Sequence, residues 1–344
     1  MDKLEEAILE YRGKKFVVIE PGGNNGDLLI YMGMKKKLKE LGINCTFFRY
    51  KESPSPIYSQ LWQRIPWHKI TKILSIAFDS SKHIDVVIGR LDREVYGQTV
   101  KLGKTQFDPA AIILIHGGAN INDIYGHGIH LLKNVIFYNP ESIIIVAPQS
   151  YWFWQTNLSK IFLESKQEVY LFCRERYSYK LLRSMSLPKN VHVGLSHDTT
   201  FYLSKKDFHP LNCDYDLICF RTDGESILSQ KAIDQIRLPR SGITYFGQSE
   251  SRTVAGDISE HFDFDNFVKL IEGSRKVITD RAHVAILATI LGKNTTLYTN
   301  SYYKNKGIYE YSLACYPNVK FVDAQRNSKE FMATVRILLS KQVI

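Results

Sequence analysis

The chain reads as an α/β protein of two doubly wound, Rossmann-like domains, and three observations predict this. Short apolar runs of strand length recur along it, separated by amphipathic runs of helix length. That is the rhythm of parallel strands joined by crossover helices. The alternation breaks at a polar, proline-containing stretch, residues 203–212, and then resumes. The 344 residues are enough for two domains of ordinary size. The expected layout is an N-terminal domain over residues 1–203, a C-terminal domain over 213–326 and a terminal helix over 327–344, with both domains facing a cleft.

In the first half, residues 16–20 read as a buried strand and 27–41 as a helix stopped by Gly42, a residue suited to the left-handed position after a helix. Residues 43–49, 84–88, 111–115, 142–146 and 169–173 are further strand-like runs. Helices fit at 128–138 and 175–185. Residues 52–82 interrupt the pattern with Ser53-Pro54-Ser55-Pro56 and Pro66-Trp67-His68, and read as an excursion of loop and short helix. In the second half, 216–220, 242–246, 276–279 and 295–298 are strand-like, with helices at 264–271 and 281–291. Residues 328–340 form an amphipathic helical run.

Composition narrows the function. With 44% hydrophobic and 23% charged residues the chain belongs to the globular class. No apolar run approaches the roughly 18 residues of a membrane span. The start, Met1-Asp2-Lys3-Leu4-Glu5-Glu6, lacks the basic and apolar regions of a signal peptide, so a cytoplasmic location is expected. Five scattered cysteines, without a Cys-x-x-Cys pair, argue against a disulfide framework and a zinc ribbon. The net charge of +10 suits nucleic acid, an anionic membrane surface or an anionic substrate. The compact basic block, Lys35-Lys36-Lys37 with Lys39, sits on a helix with an apolar opposite face and reads as a solvated face. No nucleic-acid motif is present, so no nucleic-acid partner is expected.

The most informative stretch is Thr279-Asp280-Arg281-Ala282-His283, between a strand-like run and a strongly apolar helical run. Free N–H groups and the helix dipole favour an anion at such a turn. Arg281 and His283 add two basic side chains there. Arg221 ends another strand of the same half. Two guanidinium forks at one sheet edge suit a ligand with two anionic groups. The competing reading for Arg221 is an ion pair with Asp223 or Glu225, and for His283 a backbone-bonded helix start. In the first half, Gly22 to Asp27 makes a glycine-rich turn that fits neither the Walker nor the dinucleotide fingerprint. Asp27 is placed to cap the following helix or to serve a ligand as a base or hydrogen-bond acceptor. Tyr151-Trp152-Phe153-Trp154 offers aromatic faces for a sugar ring, though four adjacent aromatics cannot all face one way and at least half belong in the core. His116, His127 and His130 lack carboxylates at ligand spacing, and no metal is assigned.

Seven further segments occur in register with the Thr279 motif: Gly22-Gly23-Asn24-Asn25-Gly26-Asp27, His116-Gly117-Gly118-Ala119-Asn120, Ala147-Pro148-Gln149-Ser150, Cys173-Arg174-Glu175-Arg176-Tyr177-Ser178, His197-Asp198-Thr199-Thr200-Phe201, Arg221-Thr222-Asp223-Gly224-Glu225 and Asn300-Ser301-Tyr302-Tyr303-Lys304. In this order and spacing the set resembles the polysaccharide pyruvyl transferase family, from about residue 20 to 311. The family usually has leucine where Ala282 sits and often glycine at Val284. Both departures suit a helix start.

The resemblance implies a fold like that of the GT-B glycosyltransferases, with ligands beyond the carboxyl ends of the strands, where all seven segments fall. It implies transfer of a pyruvyl group from phosphoenolpyruvate, as donor substrate rather than cofactor, to a sugar of a cell-surface polysaccharide or its lipid-linked precursor, closing a cyclic ketal. Arg221, Arg281, His283 and Lys304 become the donor-binding set. His283 is the proton donor or a phosphate ligand, and Asp27, where it does more than cap its helix, is a base or hydrogen-bond acceptor for the sugar hydroxyl. Asn25, Asn120 and Trp152, with Trp154 as the alternative ring, fall on the acceptor side. A lipid-linked acceptor would bring the protein to the inner face of an anionic membrane. The rival reading, a nucleotide-sugar glycosyltransferase, needs a ribose-binding carboxylate pair late in the second domain, and none stands out.

Overall fold

The computed structural model describes residues 2–20, 23–49, 106–124, 126–209, 215–221, 225–226, 244–246, 252–261 and 263–323. The expected excursion over 52–82, the strand at 84–88 and the terminal helix at 328–340 lie outside these residues.

The chain divides into two compact units: Met1–Gly23 with Met34–Thr199, and Asn24–Gly33 with Thr200–Ile344. The first is built on a six-stranded, all-parallel sheet. Its strands are β1 (Phe16–Glu20), β2 (Cys45–Arg49), β3 (Ile112–Ile115), β4 (Ile144–Gln149), β5 (Val169–Cys173) and β6 (Val191–Leu195), in the order β2-β1-β3-β4-β5-β6. Every residue of β3 and β4 is buried. Helices cover both faces of such a sheet, so central strands lose the alternation of a half-exposed strand. That is why 112–115 and 144–147 are unbroken apolar runs. Leu131, Leu132 and Val135 of α3 (His127–Tyr138) and Leu182 of α4 (Arg176–Arg183) join Ile113, Val146 and Leu171 in one core. Helix α1 (Lys3–Glu10) buries Leu4, Ala7 and Ile8. Neither α1 nor β6 is among the expected elements. The β6 sequence, Val-His-Val-Gly-Leu, carries a histidine and a glycine, which blunts its apolar signal.

The second unit has a six-stranded sheet ordered β12-β11-β10-β7-β9-β8. Its strands are β7 (Tyr215–Cys219), β8 (Thr244–Phe246), β9 (Arg252–Ala255), β10 (Ser274–Thr279), β11 (Asn294–Tyr298) and β12 (Val319–Val322). The short edge strand β8 runs antiparallel to β9 and the other pairs are parallel. An antiparallel edge strand on a parallel sheet is common, but the sequence pattern did not announce it. Helices are α5 (Ile258–His261), α6 (Phe264–Glu272), α7 (Ala282–Ile290) and α8 (Lys304–Ile308). Helix α7 is apolar on all sides and buries Val284 through Thr289, as a helix enclosed by its neighbours must. Each of Val284, Ile286 and Leu287 contributes roughly 1.5–3 kcal/mol relative to exposure.

Helix α2 (Asn25–Glu40) begins in one unit and ends in the other. Its first turns group with the second unit, where Leu29 packs with Leu217, Val284 and Leu287. From Met34 onward it groups with the first unit, and Lys37 reaches Glu5 at 3.1 Å. Lys36 and Lys37 also pair with Glu40 on the same helix, in keeping with a solvated basic face.

Strand order fixes where each sheet offers a crevice. In the second sheet the chain leaves β7 toward β9 on one side and leaves β10 toward β11 on the other. The connections therefore diverge between β7 and β10, and the space beyond their carboxyl ends is where an open α/β sheet accepts a ligand. Arg221 follows β7, and Asp280 and Arg281 follow β10. In the first sheet the divergence lies between β1 and β3, beyond whose carboxyl end His116 follows.

Candidate functional site

The β7–β10 edge is held by main-chain and side-chain bonds that leave little freedom. Thr279 pairs in register with Cys219, and its hydroxyl donates to the Cys219 carbonyl at 2.6 Å. The same hydroxyl accepts the Arg281 N–H at 2.9 Å. Asp280 Oδ1 accepts the Arg221 N–H at 2.7 Å, and Asn305 donates to the Asp280 carbonyl at 2.6 Å and to that of Tyr298 at 2.9 Å. The ends of β7, β10 and β11 and the start of α8 are thus one bonded frame.

The charged groups come in pairs. Arg281, the N-cap of α7, donates from Nε and Nη2 to the two oxygens of Asp257 at 2.9 and 2.5 Å. Both partners are out of solvent, at 4% and 0% side-chain exposure. Glu225 holds two cations with one carboxylate. Its Oε2 lies 3.2 Å from Arg221 Nη1, accepts from Lys304 Nζ and takes an Asn300 amide N–H at 3.1 Å. The Glu225 carbonyl accepts from Ser301 N. Lys304 Nζ also stands 5.3 Å from the centre of the Tyr302 ring, within cation–π range. The guanidinium forks are therefore oriented by buried carboxylates, where the sequence reading had pictured them facing a ligand directly. The ion pair weighed for Arg221 is present, with Glu225.

Asp280 is fully buried. Burial pushes its carboxyl up to about 7, and the negative charge of Asp257 adds to this, while Arg221 and Arg281 oppose it. Asp280 stood in the singled-out motif, but nothing local to the sequence assigned it a state. Asp257, in the Gly256-Asp257-Ile258 turn between β9 and α5, escaped notice because its only signal was a carboxylate after a short apolar run.

His283 sits in the first turn of α7, half-buried, with the start of α2 against it. A β-carbon at Gly26 would stand 2.6 Å from His283 Nδ1, closer than side chains pack. Glycine at 26 is therefore a matter of space, with no unusual backbone angle involved. Asn24 and Asp27 tie this turn: Gly26 N–H donates to Asn24 Oδ1 at 2.8 Å and Asn24 N–H to Asp27 Oδ2 at 3.0 Å. That is the reciprocal pattern of a capped helix start, so the capping reading of Asp27 is present. Asn25 is buried beside it. The turn expected on the acceptor side thus shares a unit, and a contact, with the histidine of the donor set.

The remaining segments serve the first sheet. Gln149 donates to the His116 carbonyl at 2.8 Å and accepts the Asn120 N–H at 3.1 Å. Asn120 is buried, and its Nδ2 has no partner among the described residues. Arg174 spans Ser150 at 2.9 Å and Asp198 at 2.7 Å, wholly buried. Glu175 caps α4 through Tyr177 and Ser178 N–H. These groups lock strand ends together. Of the four aromatics, Tyr151 is core, and Trp152 and Trp154 meet edge to face at 4.9 Å. Asp123 orders their loop by accepting from the N–H groups of Trp154, Gln155 and Thr156. A cavity of about 390 Å³ lined by Phe153, Trp154, Thr156 and Met185 has no charged lining residue and does not suit an anion. Among the described residues no histidine, cysteine or carboxylate cluster is arranged for a metal, and no helix is long and apolar enough to cross a membrane.

The chain is 24% identical over 287 residues to pyruvyl transferase 1 of Schizosaccharomyces pombe, covering 78% of this chain. It spans 61% of that protein's length. An uncharacterized protein of Klebsiella pneumoniae shares the fold, with a TM-score of 0.58 at 22% identity over 94% of this chain and 98% of that one. The ADP-bound heptosyltransferase WaaC of E. coli aligns over 93% of this chain and 99% of its own at 9% identity and a TM-score of 0.36, too distant a likeness to argue from. The family model for polysaccharide pyruvyl transferase matches residues 24–302, from the turn that touches His283 to the tyrosine under Lys304, and the chain belongs to that family.

Proposed function

We propose that this protein moves the pyruvyl group of phosphoenolpyruvate onto a sugar of a surface polysaccharide or its lipid-linked precursor, closing a cyclic ketal. The observation that carries the reading is the gathering of Arg221, Arg281 and Lys304 in one bonded frame at the diverging strand ends, with His283 in the adjoining helix turn. The donor has a phosphate and a carboxylate on a three-carbon frame, and two oriented forks and an ammonium match that charge pattern.

In this reading His283 delivers a proton to the donor's methylene carbon, or holds its phosphate. Protonation leaves an oxocarbenium-like centre at the neighbouring carbon. A sugar hydroxyl attacks that centre and gives up its proton, for which Asp27 is the proposed acceptor. Phosphate then departs with the electrons of its C–O bond, and a second hydroxyl of the same sugar closes the ketal and loses its proton. Asn25, Asn120 and Trp152 are proposed for the acceptor. A lipid-linked acceptor fits a cytoplasmic protein working at the inner face of a membrane.

The deciding experiment is thermal shift and calorimetry with phosphoenolpyruvate against a panel of nucleotide sugars. This is followed by phosphate release and detection of the ketal methyl group by NMR with glycan acceptors. Binding of a nucleotide sugar without phosphoenolpyruvate would replace this reading with that of a glycosyltransferase.

A further inference from the structure

Asp280 is the carboxyl of the cluster that holds no cationic side chain among the described residues. Asp257 is committed to Arg281, and Glu225 to Arg221 and Lys304. Asp280 Oδ1 takes the Arg221 main-chain N–H, and Oδ2 has no hydrogen-bond partner among the described residues. The residue has no exposed surface, and its main chain is pinned by Asn305 and flanked by the Thr279 hydroxyl bonds. It cannot turn out to water to shed or acquire charge cheaply.

The charge count then depends on one proton. Among the described residues, with Asp280 neutral, the three cations Arg221, Arg281 and Lys304 stand with the two anions Glu225 and Asp257, a surplus of one positive charge. With Asp280 ionised the surplus vanishes. We propose that Asp280 is the proton store of this anion site: an anionic ligand enters together with one proton, which the Asp280 carboxyl takes from solvent and keeps while the ligand is bound. A buffer acid gives up the proton, Asp280 gains an O–H bond, and no other bond changes. The inference rests on the reading of this cluster as the phosphoenolpyruvate site. The ionisable groups acting on Asp280 are Arg221 beyond β7, Cys219 within β7, Arg281 at the head of α7 and Asp257 before α5. Asn305 of α8 presents a neutral amide. His283, further along α7, is a second proton acceptor near the ligand, and the test separates it.

The experiment is calorimetric titration of phosphoenolpyruvate at about pH 7 to 8 in buffers of different ionisation heat, which counts protons taken up on binding. Wild type should take up a substantial fraction of a proton. Asp280→Asn keeps an acceptor for Arg221 N–H and should lose most of that uptake, whereas His283→Gln should retain it. Equal uptake in Asp280→Asn and wild type overturns the proposal while leaving the donor reading intact. No binding by wild type overturns both. Infrared difference spectra of wild type give the answer without a variant. Ligand addition should raise the carbonyl stretch of a protonated carboxylic acid, and its absence overturns the proposal.

Discussion

Arg281 and Asp257 form a two-pronged ion pair that is almost wholly removed from solvent, with contacts of 2.9 and 2.5 Å. The arginine that heads α7 is thus also half of an internal charge pair. Removing either partner leaves the other buried without its two-pronged counter-charge. Such a loss costs about 3–5 kcal/mol, while removing both together is far milder. Arg281→Ala and Asp257→Ala should each be strongly destabilised in urea, and the double variant should recover much of the loss. Additive losses in the cycle would show that the pair is not coupled. At a permissive temperature Arg281→Ala should also bind phosphoenolpyruvate about 2–5 kcal/mol more weakly.

Gly26 has room for a hydrogen and no more on its His283 side. Gly26→Ala should displace the imidazole by a few tenths of an ångström or more, at a stability cost of about 1–3 kcal/mol. Turnover should fall by at least about tenfold, because small misplacements of a reacting group are expensive. Wild-type kcat in a folded Gly26→Ala protein would show that the contact does not position His283.

His283→Gln discriminates between proton donor and phosphate ligand. As a proton donor, the residue should cost about a hundredfold or more in kcat when replaced, with donor affinity largely kept. Matching losses in affinity and turnover would identify a phosphate ligand instead. Unchanged kinetics would remove His283 from the site.

The buried Asp280 carboxyl makes stability depend on pH. An aspartate in the unfolded chain ionises near 3.9, and in the folded protein it is pushed up to about 7. Between those values the folded state holds the proton that the unfolded state has released. Stability therefore falls as pH rises from about 4 to 7, by up to about 4 kcal/mol, and this contribution is flat above. Urea midpoints across that range should drop for wild type and much less for Asp280→Asn. Parallel pH profiles would show that Asp280 is ionised throughout.

Arginine and lysine supply the proposed charge neutralisation, so activity should persist in excess chelator. Activity lost in chelator and restored by magnesium would require a metal that the present assignment does not include.

Much of this was legible in the sequence. The apolar runs at 16–20, 111–115, 142–146 and 169–173 announced parallel strands because buried strands bury both faces. Thr279 to His283 announced a strand–turn–helix because the apolar helix begins abruptly after a polar turn. Arg221 and Arg281 stood at strand ends by simple counting, and Lys304 entered through the family motif. Glu225 is legible as a partner of Arg221, four positions on, but the pairs of Asp257 with Arg281 and of Glu225 with Lys304 are not, since they lie 24 and 79 residues apart. Pairing at such separations is decided by strand order, and strand order depends on how whole sheets pack. For the same reason Gly26 and His283, 257 positions apart, meet only in the folded unit. Asp280 shows the division most sharply: its place in the motif is written in the chain, while its proton is decided by the tertiary structure, through the burial and neighbouring charges that set the cost of ionising it.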